Sequence, residues 1–586
     1  MGLRPAVTLP TQHVSPGRLE AACRQEFGRL VAASAIEKIW AKQPGLWKPD
    51  PDHARIITNR LGWIGVLETM RNEAAALGEF ARQIQMAELN DVVLLGMGGS
   101  SLAPEVFSLT FPRPANSRRF FVLDSTDPAS VLTVEKAVDL RHTLFIVASK
   151  SGKTLETLSQ FSYFHHRLYL SGIRPQGPSF VAITDHGSYL ARLARENRFR
   201  HTFLNPGDIG GRYSALSYFG LVPALLWGVD IPAVLDGAME VRTACEPGAP
   251  AETNPALALG ALLGAAALHG ADKLFLLATP SLVSLGNWIE QLIAESTGKE
   301  GKGIVPVAGG GIPTPQTLAE GCLVAALRME GEDATAFDAA VQSLKSSGMP
   351  MVEVRLNAPV ELGGEFFKWE VATALAGAVL GIDPFDEPNV QESKDNTARI
   401  LEEFQSKGKM PLGTPRLTES GIELYAEGPM HTSISALRLS EALRTFLAQR
   451  RPGDYLALLA YVERNVGNGR QLDALRAKLN ERLNLPVLLG YGPRYMHSIG
   501  QLYKGGPATG MFLVITSAKA EDAAIPAAKY TFGQLQMAQA LGDLQSLLQR
   551  GKSALRLHLA RGAGAGLGEL LRATDQALAT SRPARC

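Results

Sequence analysis

The sequence predicts an α/β protein of three-layer αβα architecture, with doubly wound parallel sheets, and three observations predict it. Short apolar runs such as DVVLL (91–95), HTLFIVA (142–148) and SFVAIT (179–184) end in turns, the first two rich in Gly and Ser. Each is followed by a helical pattern at the spacing of a βαβ unit, which lays helices on both faces of a parallel sheet. The 586 residues are 46% hydrophobic and 20% charged, an ordinary globular balance, and leave room for two to four cores at about 150 residues each.

In chain order, the first 60 or so residues read as helices packing on the first unit. The strands DVVLLG, RRFFVLDST, HTLFIVA and SFVAITDH follow. After the Pro/Gly/Glu-rich stretch 246–255 come the helix Ala256–His269, the strand Lys273–Thr279 and MPMVEVRLNA around residue 352. A third set follows Gly408: DYLALLAYV, the helical GRQLDALRAKLNERL, PVLLGYG and MFLVITSA. The tail holds a strand-like ALRLHLA, a Gly-rich turn and a last helix, and no period of 20–50 residues repeats.

Charge narrows the function. Lys and Arg number 58 against 57 Asp and Glu, too even for a dedicated binder of nucleic acid or of an anionic membrane. Cys23, Cys245, Cys322 and Cys586 lie far apart without metal-ligand spacing, which argues against a disulfide framework or a zinc site and fits a reducing cytosol. MGLRPAVTLP carries no apolar signal core, Ala6 spoils a myristoylation start, and Ala256–Leu268 is too short to span a bilayer. The expectation is a cytoplasmic protein acting on a small molecule.

In open α/β sheets ligands sit where strand ends meet helix N-termini, and the chemistry collects there. GMGGSS (96–101) ends a strand; Gly99 and Ser100 lie where backbone can approach an anion, although Ser101 stands where a dinucleotide fingerprint needs its third glycine. SKSGKT (149–154) imitates the end of a P-loop, but Val147 replaces the leading glycine, so Ser149, Lys150, Ser151 and Thr154 suit one phosphate better than a triphosphate. Arg212 stands between a double glycine and an apolar helix, in reach of a cleft or of an ordinary salt bridge. Gln291 and Glu295 are i,i+4 on one helical face and can meet one ligand, whereas Glu290 and Lys299 suit surface pairs. Lys394 follows the loop DPFDEP, and His497 follows the strand-end loop GYGPRYM; each reads equally as a surface or capping residue. GAGAGLG (562–568) and GGGIP (309–313) are turns with no catalytic partners.

Taken in order, GMGGSS, SKSGKTLET, GGRYSALS, QLIAESTGK and DPFDEPNVQESK resemble the phosphoglucose isomerase family, built from sugar-isomerase (SIS) domains, over residues 60 to beyond 500. The chain looks most like the isomerase half of transaldolase–phosphoglucose isomerase fusions. The resemblance implies two SIS domains at 61–245 and 246–410, a helical segment at 1–60 and a C-terminal α/β region at 411–586. It implies reversible aldose–ketose isomerisation of glucose 6-phosphate and fructose 6-phosphate, a step of glycolysis and gluconeogenesis, with no cofactor and no metal. Ser100, Ser149, Lys150, Ser151 and Thr154 would hold the phosphate. Arg212 would stabilise the enediolate, Gln291 and Glu295 would form the pair whose glutamate carries the C2/C1 proton, and Lys394 with a histidine would assist ring opening.

Two departures stand out. Glu387 replaces the family glutamine and would be expected to turn its charge away from the phosphate. The stretch 296–393 has no histidine, so MHSIGQLYKGG makes His497 the candidate, with His431 its rival. Rival functions are mannose 6-phosphate isomerisation and a non-catalytic sugar-phosphate sensor, while a nicotinamide dehydrogenase would need the dinucleotide fingerprint. A homodimer is the family habit, but the displaced histidine breaks that inference.

Overall fold

The computed structural model describes residues 10–113, 117–311, 318, 321–427, 430, 433–434 and 437–579. Among them sixteen strands form three sheets.

The first sheet is wholly parallel, in the order β3 (Arg119–Leu123), β2 (Asp91–Gly96), β4 (Thr143–Ala148), β5 (Phe180–Asp185), β6 (His201–Asn205). Central β2 and β4 are buried at every residue, which is why they read as unbroken apolar runs rather than alternating ones. From β2 the chain winds outward to β3, and from β4 it winds the other way to β5. The switch point thus lies between β2 and β4, whose ends carry GMGGSS and SKSGKT.

The second sheet runs β1 (Thr11–Ser15), β10 (Met351–Leu356), β9 (Cys322–Met329), β7 (Lys273–Ala278), β8 (Val305–Ala308), with β1 alone antiparallel. The third runs β11 (Leu417–Glu419), β12 (Ile422–Ala426), β16 (Ser553–Leu559), β15 (Gly510–Ser517), β13 (Tyr455–Tyr461), β14 (Val487–Tyr491). Its last four strands are parallel, and a β11–β12 hairpin closes the other edge.

Two expectations need correction. The segment before residue 60 packs chiefly on the second sheet's layer rather than the first unit. Here β1 covers the β10 edge, and Trp47 donates its indole N–H to the Ala374 carbonyl at 2.7 Å. An unpaired edge strand and a helix pair, Pro255–Leu268 on Leu362–Leu380, offer the apolar surface that the segment needs. The Gly-rich tail turn is also shorter than expected: Gly564, Gly566 and Gly568 lie inside the helix Ala563–Ala579. The helix Pro255–Leu268 is apolar on all sides because it is buried on nearly all sides. Among the described residues no helix is long and apolar enough to cross a membrane.

Candidate active site

The site assembles from all three sheets. After β2 the chain makes a tight turn, Gly98–Ser100, before the helix Leu102–Thr110. Gly98 has φ +54°, and a Cβ there would lie 2.4 Å from the His497 carbonyl oxygen; at Gly99 it would lie 2.1 Å from that of Gly211. Both glycines are therefore needed because other loops approach the backbone directly.

After β4, Ser149 Oγ stands 2.9 Å from Thr154 Oγ1 and accepts from the Gly152 N–H at 3.1 Å, rolling the loop over the start of the helix Leu155–Leu170. That places two hydroxyls and a helix N-terminus together, an anion-favouring corner. Exposed Ser151 rims the loop and accepts from the Lys153 N–H at 3.3 Å. Lys150 points elsewhere: its ammonium is held by Asp185 at 2.6 Å and the Gly207 carbonyl at 2.8 Å.

Arg212, 2% exposed, is fixed in the bottom of the site. Its Nε donates to Ser296 Oγ at 2.8 Å, and Nη2 donates to the carbonyls of Pro384 at 2.8 Å and Asp386 at 2.9 Å. Nη1 is left for two carboxylates, Glu387 at 3.1 Å and Glu295 at 3.7 Å. Glu387, exposed at the rim of the site, thus directs its carboxylate onto the arginine.

Glu295 lies in the last turn of the helix Val283–Thr297, and one turn earlier Gln291 donates to it at 3.1 Å and to the His497 carbonyl at 2.9 Å. The i,i+4 pairing foreseen in the sequence is realised. Glu290 and Lys299 do not form surface pairs. Lys299 is buried, donating to the Asp383 and Asp386 carbonyls at 2.5 and 2.6 Å, and so ties down the loop that carries Glu387.

The two carboxylates on Arg212 are driven apart. Burial raises the Glu295 pKa, Arg212 opposes this, and the neighbouring Glu387 charge raises it further, leaving it above the ordinary value. Burial also pushes Glu387 up, but Arg212, its hydrogen bond and Lys299 outweigh that and hold it low. Two acids that share one cation are thus pushed apart in pKa, the arrangement that suits one of them to act as a base and the other as a fixed counter-charge.

His497 arrives from the third sheet, in the short turn Arg494–His497 after β14. Its Nε2 lies 2.8 Å from Glu156 Oε1, and the same oxygen accepts from Gln539 Nε2 at 2.7 Å. Burial would raise the Glu156 pKa, yet His497 and Lys394 bring it below the ordinary value. Arg494 bonds Asp124 and Glu105 of the first unit, and Asp124 accepts from Ser101 Oγ at 3.1 Å. The histidine turn is thereby locked onto the turn of GMGGSS. Lys394, exposed early in the helix Gln391–Lys407, touches neither His497 nor Glu295 and reaches the site only through its field on Glu156. His431 lies outside the described residues.

Sequence reasoning missed Glu156, Lys299, Ser296 and Gln539. Glu156 was signalled, since an acid in the first turn after a phosphate-type loop is out of keeping with an anion site unless a cation faces it. Gln539 carries no local signal; it meets Glu156 only because the helix Phe532–Gln549 crosses from the third sheet.

The model of the family described as phosphoglucose isomerase matches residues 65–305, which hold both loops, Arg212, Gln291 and Glu295. A glucose-6-phosphate isomerase of Methanocaldococcus jannaschii is 28% identical, over 53% of this chain and 84% of its own length. A probable glucose-6-phosphate isomerase of Natronomonas pharaonis is 29% identical, over 64% and 95%. A hypothetical protein of Thermus thermophilus superposes with TM-score 0.56 at 25% identity, covering 66% of this chain and 99% of that one. A Chlamydia trachomatis glucose-6-phosphate isomerase, at 21% identity and TM-score 0.53 over 68% and 90%, shares the fold. The motif-bearing loops brought together as described thus lie largely in the span 65–305 that matches the phosphoglucose isomerase family.

Proposed function

We propose that the protein interconverts glucose 6-phosphate and fructose 6-phosphate by carrying one proton between C2 and C1 through a cis-enediolate, as a cytoplasmic enzyme of glycolysis and gluconeogenesis. The observation that carries this reading is Arg212, buried between a carboxylate held ionised and one whose pKa is raised. Such a pair is built to take a weakly acidic C–H proton and to hold the negative charge that results.

In this reading the Ser149–Thr154 corner and Ser100 anchor the phosphate, and that binding energy places the reacting carbons. His497, its Nε2–H directed to Glu156, takes the proton of the C1 hydroxyl at Nδ1 and delivers it to the ring oxygen as the C1–O bond of the ring breaks and the C1 carbonyl forms. Glu156 fixes the orientation of the ring. Glu295 then removes the C2 proton; electrons shift to the C1 carbonyl oxygen, and the enediolate oxygens face the Arg212 Nη1. Transfer of the O2 proton to O1 and return of the proton from Glu295 to C1 complete the ketose. Gln291 orients Glu295 and ties it to the histidine turn. Lys150, committed to Asp185, enters only as a strut of the loop, and Lys394 only through its field. Because the histidine belongs to the same chain, this site is complete within one copy; a homodimer would not have to supply it.

The test is a coupled assay with fructose 6-phosphate, run beside mannose 6-phosphate, and conversion in deuterated solvent. Deuterium should enter the product at the carbon protonated by Glu295. Product free of isotope under slow turnover, or mannose 6-phosphate turned over faster, would overturn the assignment.

A further inference from the structure

The contacts that hold the histidine turn from behind converge on one carboxylate, Asp543, which touches no reacting group. It is 1% exposed and lies on the helix Phe532–Gln549. Its Oδ2 accepts the Tyr495 O–H at 2.6 Å, while its Oδ1 accepts Ser393 Oγ at 3.0 Å and meets the Lys504 ammonium at 2.6 Å. With the Tyr495 proton given to Asp543, Tyr461 Oη at 2.9 Å supplies the next donor to Tyr495 Oη. Tyr495 stands two residues before His497 and Lys504 seven after it, so one carboxylate staples the segment on both sides of the histidine.

The direction of these bonds gives the staple its meaning. Arg494 and His497 reach outward to the first unit, to Glu105, Asp124 and Glu156, whereas Tyr495 reaches back to Asp543. The turn is therefore held from two opposite sides. One helical turn before Asp543, Gln539 donates to Glu156 at 2.7 Å. Residues four apart share a helical face, so a single helix fixes both members of the His497–Glu156 pair. A core that needed only filling would be served as well by apolar side chains of similar volume, and a buried ion pair is weak evidence for stability. What it supplies here is direction, and a group that transfers a proton must be held to within about 0.5 Å.

We propose that Asp543 is a positioning residue for ring opening, acting through Tyr495 to set the imidazole of His497 against Glu156. This rests on His497 being the ring-opening group.

Two variants test it. Tyr495→Phe keeps the ring and removes the O–H; Asp543→Leu combined with Lys504→Met removes the ion pair without leaving either charge buried alone. With fructose 6-phosphate, kcat should fall about tenfold in the first and about 10²-fold in the second, the scale of a misplacement near 1 Å. The comparison substrate is 5-deoxyfructose 6-phosphate, which lacks the hydroxyl needed to close its ring. Its deuterium uptake at C1 in deuterated solvent should fall by less than about threefold in both variants, because it needs no ring opening. Ser546→Ala, which disturbs the same helix away from the turn, should leave both rates unchanged. Equal losses on the two sugars, or an unchanged rate on fructose 6-phosphate, would overturn the proposal. If the double variant does not fold, Tyr495→Phe decides by the same criteria. A wild type that converts neither sugar refutes the assigned activity, not the positioning. For that case the imidazole proton–nitrogen NMR signal of His497, identified by its loss in His497→Asn, should shift in Tyr495→Phe. An unmoved signal would overturn the role of Asp543 whatever the chain isomerises.

Discussion

The two ends of the site are built differently. At the carbon-acid end, Arg212 and Glu295 come from the span that the family model matches, and one guanidinium orders two carboxylates over short distances. At the end proposed to open the sugar ring, His497 comes from the third sheet while its partner Glu156 and its anchors Glu105 and Asp124 come from the first unit. The first end is chemistry set by local charge; the second is chemistry set by docking. Substitutions at the first should therefore change rate with little loss of stability, and substitutions at the second should change both.

The sharpest test is Glu295→Gln, which keeps shape and the neighbouring amide but removes the base. We expect kcat to fall by about 10²–10⁴ with an unchanged unfolding midpoint; retained activity would break the assignment of this end. His497→Asn should cost about 10² on the ring-closed sugar and far less on an open-chain analogue, a split that stopped-flow comparison of the two would measure.

Arg494→Met probes docking itself. Leaving Asp124 buried without its cation, and Glu105 with Arg464 alone, should cost up to about 3–5 kcal/mol in urea unfolding and loosen the histidine turn. The same cluster sets an acid limit. Burial would raise Glu105, but Arg494 and Arg464 outweigh it and lower its pKa from 4.5 to about 2. A carboxylate depressed in the folded state contributes stability that is present above its unfolded pKa and lost as pH falls through the folded one, so this contribution of about 3 kcal/mol should drain between pH 4.5 and about 2. In the Arg494→Met variant that acid transition should begin at higher pH.

The smallest effect separates the two carboxylates. Glu387→Gln removes the charge that raises Glu295, so the acid limb of kcat/KM should move to lower pH while kcat at neutral pH changes by less than about tenfold. Loss of the limb altogether would mean that Glu387, not Glu295, is the group titrating.

The carbon-acid end was largely legible in the sequence, because its residues sit in short motifs whose spacing survives folding: Gln291 and Glu295 share a helical face, and the loops after β2 and β4 follow apolar runs. The contact of Glu387 with Arg212 was not, because it depends on an Nη1 left after Ser296 and two carbonyls have taken the rest. Nor was Gln539, which meets Glu156 across 383 positions of chain through sheet-to-sheet docking that no local pattern encodes. The apolar runs marked the central strands correctly, whereas β1 was missed because TQHVS is polar and becomes a strand only where β10 offers an open edge.

That edge strand has a consequence for the order of events on the ribosome. Ser15 pairs with Met351, so β1 emerges about 340 residues before the strand it joins, a wait of about 20–70 s at ordinary elongation rates. For that interval the second sheet cannot close. β1 must wait without its β10 partner until translation has passed β10, which makes it a segment that early-acting chaperones would meet unpaired.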